Sequence, residues 1–253
     1  MSLLEVRNLS KEFGGVHAID DLSFTINPGT IHSIIGPNGA GKTTLFNLVT
    51  GVYTPTSGEV LFQDEPVTGK KPYQLASRGM SRTFQNLQIC MNMTALDNVM
   101  VGRHLHLNTR FLPSLFRLPF IVKGDKAARE MCTELMAMVG LEHYRDWDAD
   151  SMPYGALKRL EIARALAAEP KLLLLDEPAA GLNDTESREL DEVIKKVARN
   201  GVTVVLVEHD MKMVMEISDH ILVLDYGRKL AEGTPAEVRK NPDVIAAYLG
   251  NVA

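Results

Sequence analysis

Uninterrupted apolar runs punctuate the chain at Ile31–Ile35, Lys171–Leu175, Val202–Val207 and Ile221–Leu224. Runs of this length without polar alternation predict strands covered on both faces. Helical spacing of apolar positions lies between them, at Lys42–Leu48, Ala156–Ala168, Asp184–Ala198 and Met211–Ile217. Strands alternating with helices predict an α/β fold with a mostly parallel sheet. The first stretch differs, because short β-type pieces at Leu4–Val6 and Leu22–Ile26 precede any helix and Glu59–Phe62 follows the first one. These predict a small antiparallel β subdomain beside the parallel sheet. From Leu96 to Tyr144 the pattern is mostly helical, with Met131, Met136 and Met138 in it, and Gly and Pro mark both ends. This reads as an inserted helical subdomain. The tail Pro235–Leu249 reads as short helices broken at Asn241–Pro242.

Composition narrows the function classes. The chain has 253 residues, 45% hydrophobic and 23% charged, which is the balance of a folded globular protein. The net charge of −5 argues against sequence-independent nucleic-acid binding, which relies on clustered positive charge. Cys90 and Cys132 are 42 positions apart and form no CxxC, so neither a disulfide framework nor a cysteine zinc site is expected. The first residues lack the long apolar core of a signal peptide. The most lipid-like stretch, Phe111–Ile121, is interrupted by Pro113, Arg117 and Pro119 and is shorter than the ~20 residues a membrane span needs.

Three motifs carry chemistry. Gly36-Pro37-Asn38-Gly39-Ala40-Gly41-Lys42-Thr43 fits G-x-x-x-x-G-K-[ST], with an apolar strand before it and a helix, beginning Lys42-Thr43-Thr44, after it. In that setting glycines aim successive backbone N–H groups into one concavity, and the helix N-terminus adds positive potential for phosphates. Lys42 is placed to reach β- and γ-phosphates, and the Thr43 hydroxyl to bind Mg²⁺. The second motif is an apolar strand ending in two adjacent carboxylates, Asp176 and Glu177, before Pro178. Asp176 is the candidate metal holder, and Glu177 the candidate to orient or deprotonate the attacking water. The third is Val207-Glu208-His209-Asp210 at another strand's end. His209 there fits either a structural cap or a sensor of the γ-phosphate, since ligands of open α/β sheets bind at that edge.

With these residues in view, the chain resembles the nucleotide-binding subunits of ABC transporters over nearly its whole length, from about Leu3 to Gly250. The resemblance implies a P-loop ATPase core at 1–85 and 160–253 carrying the antiparallel β part, with the helical subdomain at 86–159. It implies ATP and Mg²⁺ as ligands. Phe13 matches the aromatic that stacks on adenine, against the plainer reading of a core Phe. Gln85, in Thr83-Phe84-Gln85, matches the glutamine linking the metal site to the transmembrane partner. Asp176, Glu177 and His209 match the metal-holding Asp, the catalytic Glu and the switch His. Met152-Pro153-Tyr154-Gly155-Ala156 stands where the family's signature, Leu-Ser-Gly-Gly-Gln in its commonest form, is expected, and keeps only Gly155. Pro153 replaces the serine that touches the opposite subunit's ATP, so the N–H groups of Tyr154, Gly155 and Ala156 are left to make a weakened contact. Asn183 stands where Asp is usual in the loop crossing to the second subunit.

Within the family the chain is most similar to the larger of the two ATPases of branched-chain amino acid importers. Ser81–Gln88, Met93–Val99, Asp176–Asn183, the ending Gly233–Gly250 and an extra segment at 103–123 carry that likeness. It implies a head-to-tail dimer with a second ATPase, membrane permease subunits, an indirect link to a periplasmic binding protein, and a place on the cytoplasmic face of the membrane. The alternatives are an ATPase of a urea or amide importer and a soluble non-transport member. His104 and His106 alternate as H-x-H without a third ligand at metal spacing. Phe111, Leu112, Leu115, Phe116 and Phe120 predict an apolar cluster for local packing or a partner.

Overall fold

A computed structural model describes residues 2–107 and 119–249. In chain order the strands are β1 (Leu4–Phe13), β2 (Val16–Ile26), β3 (Ile31–Ile35), β4 (Ser57–Phe62), β5 (Glu65–Pro66), β6 (Met80–Arg82), β7 (Leu172–Asp176), β8 (Thr203–Val207), β9 (His220–Asp225) and β10 (Arg228–Gly233). The helices are α1 (Lys42–Val49), α2 (Pro72–Ala76), α3 (Ala95–Gly102), α4 (Pro119–Met138), α5 (Tyr154–Leu166), α6 (Asp184–Arg199), α7 (Met211–Ile217), α8 (Pro235–Val238) and α9 (Pro242–Leu249).

Two sheets share the strands. The larger has the order β10-β9-β3-β8-β7-β6, parallel throughout except for β10 on β9. The smaller, β2-β1-β4-β5, is antiparallel. β3, β7 and β8 are buried at every position. The leucines of β7 and the valines and leucine of β8 alternate between two cores, as the two-residue period of a strand requires. Leu172, Leu174, Val205 and Val207 face one core with Phe46 of α1 and Phe24 and Phe62 of the small sheet. Leu173, Leu175, Val204 and Leu206 face the other, with Leu160 of α5 and Ile194 of α6. Helix α1 is thereby held between the two sheets. The phosphate-loop sequence, Glu177 and His209 all follow the carboxyl ends of β3, β7 and β8, where Asp176 pairs with Val207.

The first two strands are longer than the short pieces expected at Leu4–Val6 and Leu22–Ile26. They form one hairpin of 10 and 11 residues. Its register shifts between Val6 and Leu9 and again between Leu9 and Lys11. Asn8 and Asp21 sit at positive φ, and the Asn8 amide donates to Asp21 Oδ1 at 2.9 Å. These irregularities break the apolar alternation that marks a strand. Helix α5 starts two residues earlier than its apolar pattern and runs unbroken through positions 159 and 160, so the expected domain boundary falls inside one helix. Of the apolar cluster expected in the insert, Phe120 is exposed on α4, while Phe111, Leu112, Leu115 and Phe116 lie outside the described residues. No described helix is long and apolar enough to cross a membrane.

Candidate functional site

The phosphate loop is shaped by glycines under backbone contact. Gly36 has φ 155°, and a Cβ there would stand 2.2 Å from the Leu224 carbonyl oxygen. Gly41, at φ 99°, would carry a Cβ 2.5 Å from the carbonyl oxygen of Ala18. Neither position admits a side chain, which holds residues 36–41 close against β9 and β2. Gly41 is also the N-cap of α1, and no side chain caps that helix. The first N–H groups of an α-helix have no partner within it, so those of α1 are directed to the loop's concavity. The Lys42 ammonium donates to the carbonyls of Gly36 at 2.7 Å and Pro37 at 3.0 Å. Burial pushes the Lys42 pKa down, and the nearby Glu177 charge opposes that shift. The loop is clasped from outside, where Gly227 N–H donates to the Ala40 carbonyl at 3.0 Å.

Asp176 ends β7 and is buried. Its Oδ2 accepts from the Arg82 guanidinium at 2.8 Å. Glu177 follows at positive φ, its N–H bonded to the Val207 carbonyl at 2.9 Å. That turn lifts the Glu177 carboxylate off the sheet edge, where two other predicted residues reach it. The Gln85 amide donates to Oε2 at 3.0 Å, and His209 Nδ1 lies 3.8 Å from Oε1. His209 is expected as either a cap or a γ-phosphate sensor. Asp210 caps α7, its side chain accepting from the N–H groups of Lys212 and Met213. The His209 ring is exposed beside Glu177.

Phe13 is 43% exposed at the end of β1, which is not the place of a core residue. Tyr53, a residue the sequence did not single out, meets it edge-on with ring centroids 5.4 Å apart. The Lys11 ammonium lies 4.9 Å from the Phe13 ring centre.

Tyr154 and Gly155 are placed elsewhere. Tyr154 Oη donates to the Ala180 carbonyl at 3.5 Å, and a Cβ on Gly155 would meet the Glu186 carboxylate at 2.7 Å. Among the described residues, none of their hydrogen bonds reaches the phosphate loop. Pro153 is the N-cap of α5, without a side-chain cap hydrogen bond. Asn183 has a structural task of its own. It caps α6 by accepting from Thr185 and Glu186 N–H groups, and Glu186 returns the bond to the Asn183 N–H at 3.0 Å.

Two further residues, Glu208 and Arg82, belong to this edge. Glu208 is buried and accepts from the N–H groups of Ala179 at 2.8 Å and His209 at 3.1 Å, joining the turn after Glu177 to the His209 turn. Burial pushes its pKa up against those bonds. Arg82 lies in Ser81-Arg82-Thr83-Phe84-Gln85, and the signal that marks it is an arginine inside a short strand just ahead of Gln85. His104 and His106 do not converge. His104 Nδ1 meets the Val101 carbonyl and His106 Nε2 the Ala168 carbonyl, both at 3.1 Å.

The oxygen donors suit a hard cation. Thr43 opens α1, the Gln85 carbonyl is not used by its bond to Glu177, and no protein group among the described residues bonds Asp176 Oδ1. Thr43, Gln85 and Asp176 therefore fit Mg²⁺.

Comparison with known proteins places this geometry. A family model described as "ABC transporter" matches residues 19–180, and one described as "Branched-chain amino acid ATP-binding cassette transporter" matches residues 228–253. The chain is 45% identical over 249 residues to the high-affinity branched-chain amino acid transport ATP-binding protein BraF of Pseudomonas aeruginosa, covering 98% of each. It is 43% identical to the corresponding protein LivG of Escherichia coli K12, again over 98% of each. An ATP-binding cassette of an ABC transporter solved in its ADP conformation superposes with TM-score 0.87 at 33% identity, covering 99% of this chain and 100% of the other. A bacterial ABC transporter cassette solved as a dimer superposes with TM-score 0.75 at 25% identity, covering 92% and 98%.

Proposed function

The chain belongs to the ABC transporter family of ATP-binding cassettes, and on that premise we propose that it is the ATP-hydrolysing subunit that powers import of branched-chain amino acids. The observation that carries the ATPase reading is the meeting of Gln85 and His209 on Glu177, one residue beyond the buried Asp176 and at the sheet edge of the phosphate loop. The likeness to BraF and LivG over nearly the full length of each carries the cargo. Residues 228–253, which match the branched-chain model, add to it.

The mechanism follows from the placement of each group. The unpaired N–H groups at the start of α1 receive the phosphates, and Lys42 exchanges the Gly36 and Pro37 carbonyls for β- and γ-phosphate oxygens. Phe13, its ring braced by Tyr53, stacks on the adenine. Thr43, Asp176 and Gln85 would hold Mg²⁺, which would supply neutralisation of the charge that builds on the phosphate oxygens. Glu177 orients the attacking water and takes its proton on a carboxylate oxygen, and the Gln85 amide on Oε2 fixes the carboxylate's orientation. His209 bonds the γ-phosphate from the β8 edge.

A second ATPase subunit completes the site by presenting the N-terminus of its signature helix, the part that Tyr154, Gly155 and Ala156 form here. The two subunits close head to tail on ATP and reopen after hydrolysis. Pro153 weakens the contact this chain lends its partner, which favours a heterodimer with a more regular ATPase. Permease subunits bind the groove of about 430 Å³ beside Phe84, between β6, α3 and α5. That docking places the chain peripherally on the cytoplasmic face of the membrane, with a periplasmic binding protein reached only through the permeases.

Reconstitution with the two permeases and the partner ATPase tests the reading. ATP hydrolysis stimulated by leucine, isoleucine or valine on the loaded binding protein is the expected result. Stimulation by urea or amides instead, or hydrolysis without any membrane partner in a pull-down, overturns the cargo assignment.

A further inference from the structure

Arg82 sits at a junction of three parts of the site. One guanidinium nitrogen donates to Asp176 Oδ2 at 2.8 Å. The other terminal nitrogen donates to Asn47 Oδ1 at 2.7 Å and Thr50 Oγ1 at 3.0 Å, both at the far end of α1. The guanidinium carbon lies 5.5 Å from the Phe46 ring centre and 5.3 Å from that of Phe84, the neighbour of Gln85. Only 9% of the Arg82 side chain and 6% of the Asp176 side chain are exposed.

Stability does not explain this arrangement. A buried ion pair is often no better than apolar packing of the same volume, because both charges lose their water. The Arg82 Nε is buried as well and has no hydrogen-bond partner among the described residues. An unmade buried bond adds a further cost. What the network does achieve is orientation. Asp176 commits Oδ2 to a fork that is itself braced on α1, and Oδ1 is left as the oxygen with no protein partner among the described residues.

We propose that Arg82 is a positioning residue for Mg·ATP: it fixes the Asp176 carboxylate so that Oδ1 faces the metal, and it registers the Gln85 loop, through Phe84, against the same carboxylate. The proposal rests on the ATPase reading. Partners of metal ligands in other sites act in this way, holding a ligand's rotamer without touching the metal. Lysine cannot substitute, because a single ammonium cannot serve Asp176 and the α1 end together.

The test is the affinity of the full-length protein for a fluorescent ATP analogue, measured with Mg²⁺ and with EDTA. In the wild type Mg²⁺ strengthens binding. In Arg82→Gln the gain from Mg²⁺ shrinks roughly tenfold or more, while affinity in EDTA, set by the phosphate loop, is unchanged. Asp176→Asn loses the same gain, and the double variant loses no more than Asp176→Asn alone, as members of one unit do. Arg82→Lys does not restore the gain. Should Arg82→Gln fail to fold, Asn47→Ala removes only the brace on α1 and loses part of the same gain. A full Mg²⁺ gain in Arg82→Gln or, in that event, in Asn47→Ala overturns the proposal, as does an equal fall of both affinities. A wild type that binds no better with Mg²⁺ overturns the ATPase reading along with it.

Discussion

Gln85 and Glu177 stand 92 positions apart in the chain and meet at 3.0 Å, amide Nε2 on carboxylate Oε2. The bond joins the loop after β6 to the turn after β7, so movement of the Gln85 loop is felt at the proposed base. His209 approaches the other oxygen from β8. Glu177→Gln removes the charge that takes the water's proton and keeps the side chain's shape. ATP binding should persist, and hydrolysis should fall by roughly 10²–10⁴-fold, the usual contribution of a positioned base. Single-turnover hydrolysis, with size-exclusion chromatography for an ATP-stabilised dimer, measures both. Unchanged turnover would remove Glu177 from its role.

His209 is exposed and its contact with Glu177 is long at 3.8 Å. Its removal should therefore leave the fold intact. His209→Ala is expected to lower kcat with little change in ATP affinity or melting temperature. A variant that melts earlier and still turns over normally would give His209 a structural role at the β8 edge in place of the sensor's.

The residues legible in the sequence are those whose partners are close in the chain or whose pattern is unbroken. The phosphate loop follows the uniformly buried β3 and precedes α1, so motif and context read together. Asp176 and Glu177 follow a short run of leucines before Pro178, which reads as a buried strand. The rest depended on distance. Arg82 and Asp176 are 94 positions apart, and no local spacing joins them. β6 has three residues and β10 a largely exposed polar face, which gives neither the apolar run of a buried strand. The hairpin of β1 and β2 was hidden by its own bulges at Asn8 and Asp21. Tyr53 carried no motif, and only the fold brings its ring to Phe13.

Phe13 offers its ring to solvent with Tyr53 against its edge. Base stacking on an aromatic is worth roughly 1–3 kcal/mol. Phe13→Ala should therefore raise the KM for ATP about tenfold at nearly constant kcat. Tyr53→Ala should do so more weakly, because it loosens the ring without removing it. Equal kinetics in all three proteins would place adenine elsewhere.

Pro153 leaves the start of α5 without a side-chain cap at φ −59° and ψ 150°, angles a serine adopts freely. Pro153→Ser should add about 1 kcal/mol by bonding a first-turn N–H, which in a chain of this size raises the melting temperature by roughly 2–4 °C. If the same position faces the partner's nucleotide, the reconstituted complex should also hydrolyse faster. A more stable protein with unchanged complex turnover would confine Pro153 to capping.

His32 is buried in β3, its ring centre 5.3 Å from that of His220, and its pKa is pushed down from the ordinary 6.5 to about 4. Burial is the main cause; the neighbouring His220 adds to it, and Asp219 and Glu232 oppose it. The folded chain thus holds His32 neutral at pH values where the unfolded chain protonates it. Unfolding takes up a proton between these two pKa values, so stability is full above the unfolded pKa and falls as pH drops from about 6.5 toward 4. The loss amounts to on the order of 3 kcal/mol once both values are passed. His32→Gln cannot take up that proton. Chemical denaturation at pH 7.5 and at pH 5 should show the wild type losing more stability than His32→Gln between the two conditions. Parallel losses in both proteins would show that His32 does not carry the acid sensitivity of the sheet.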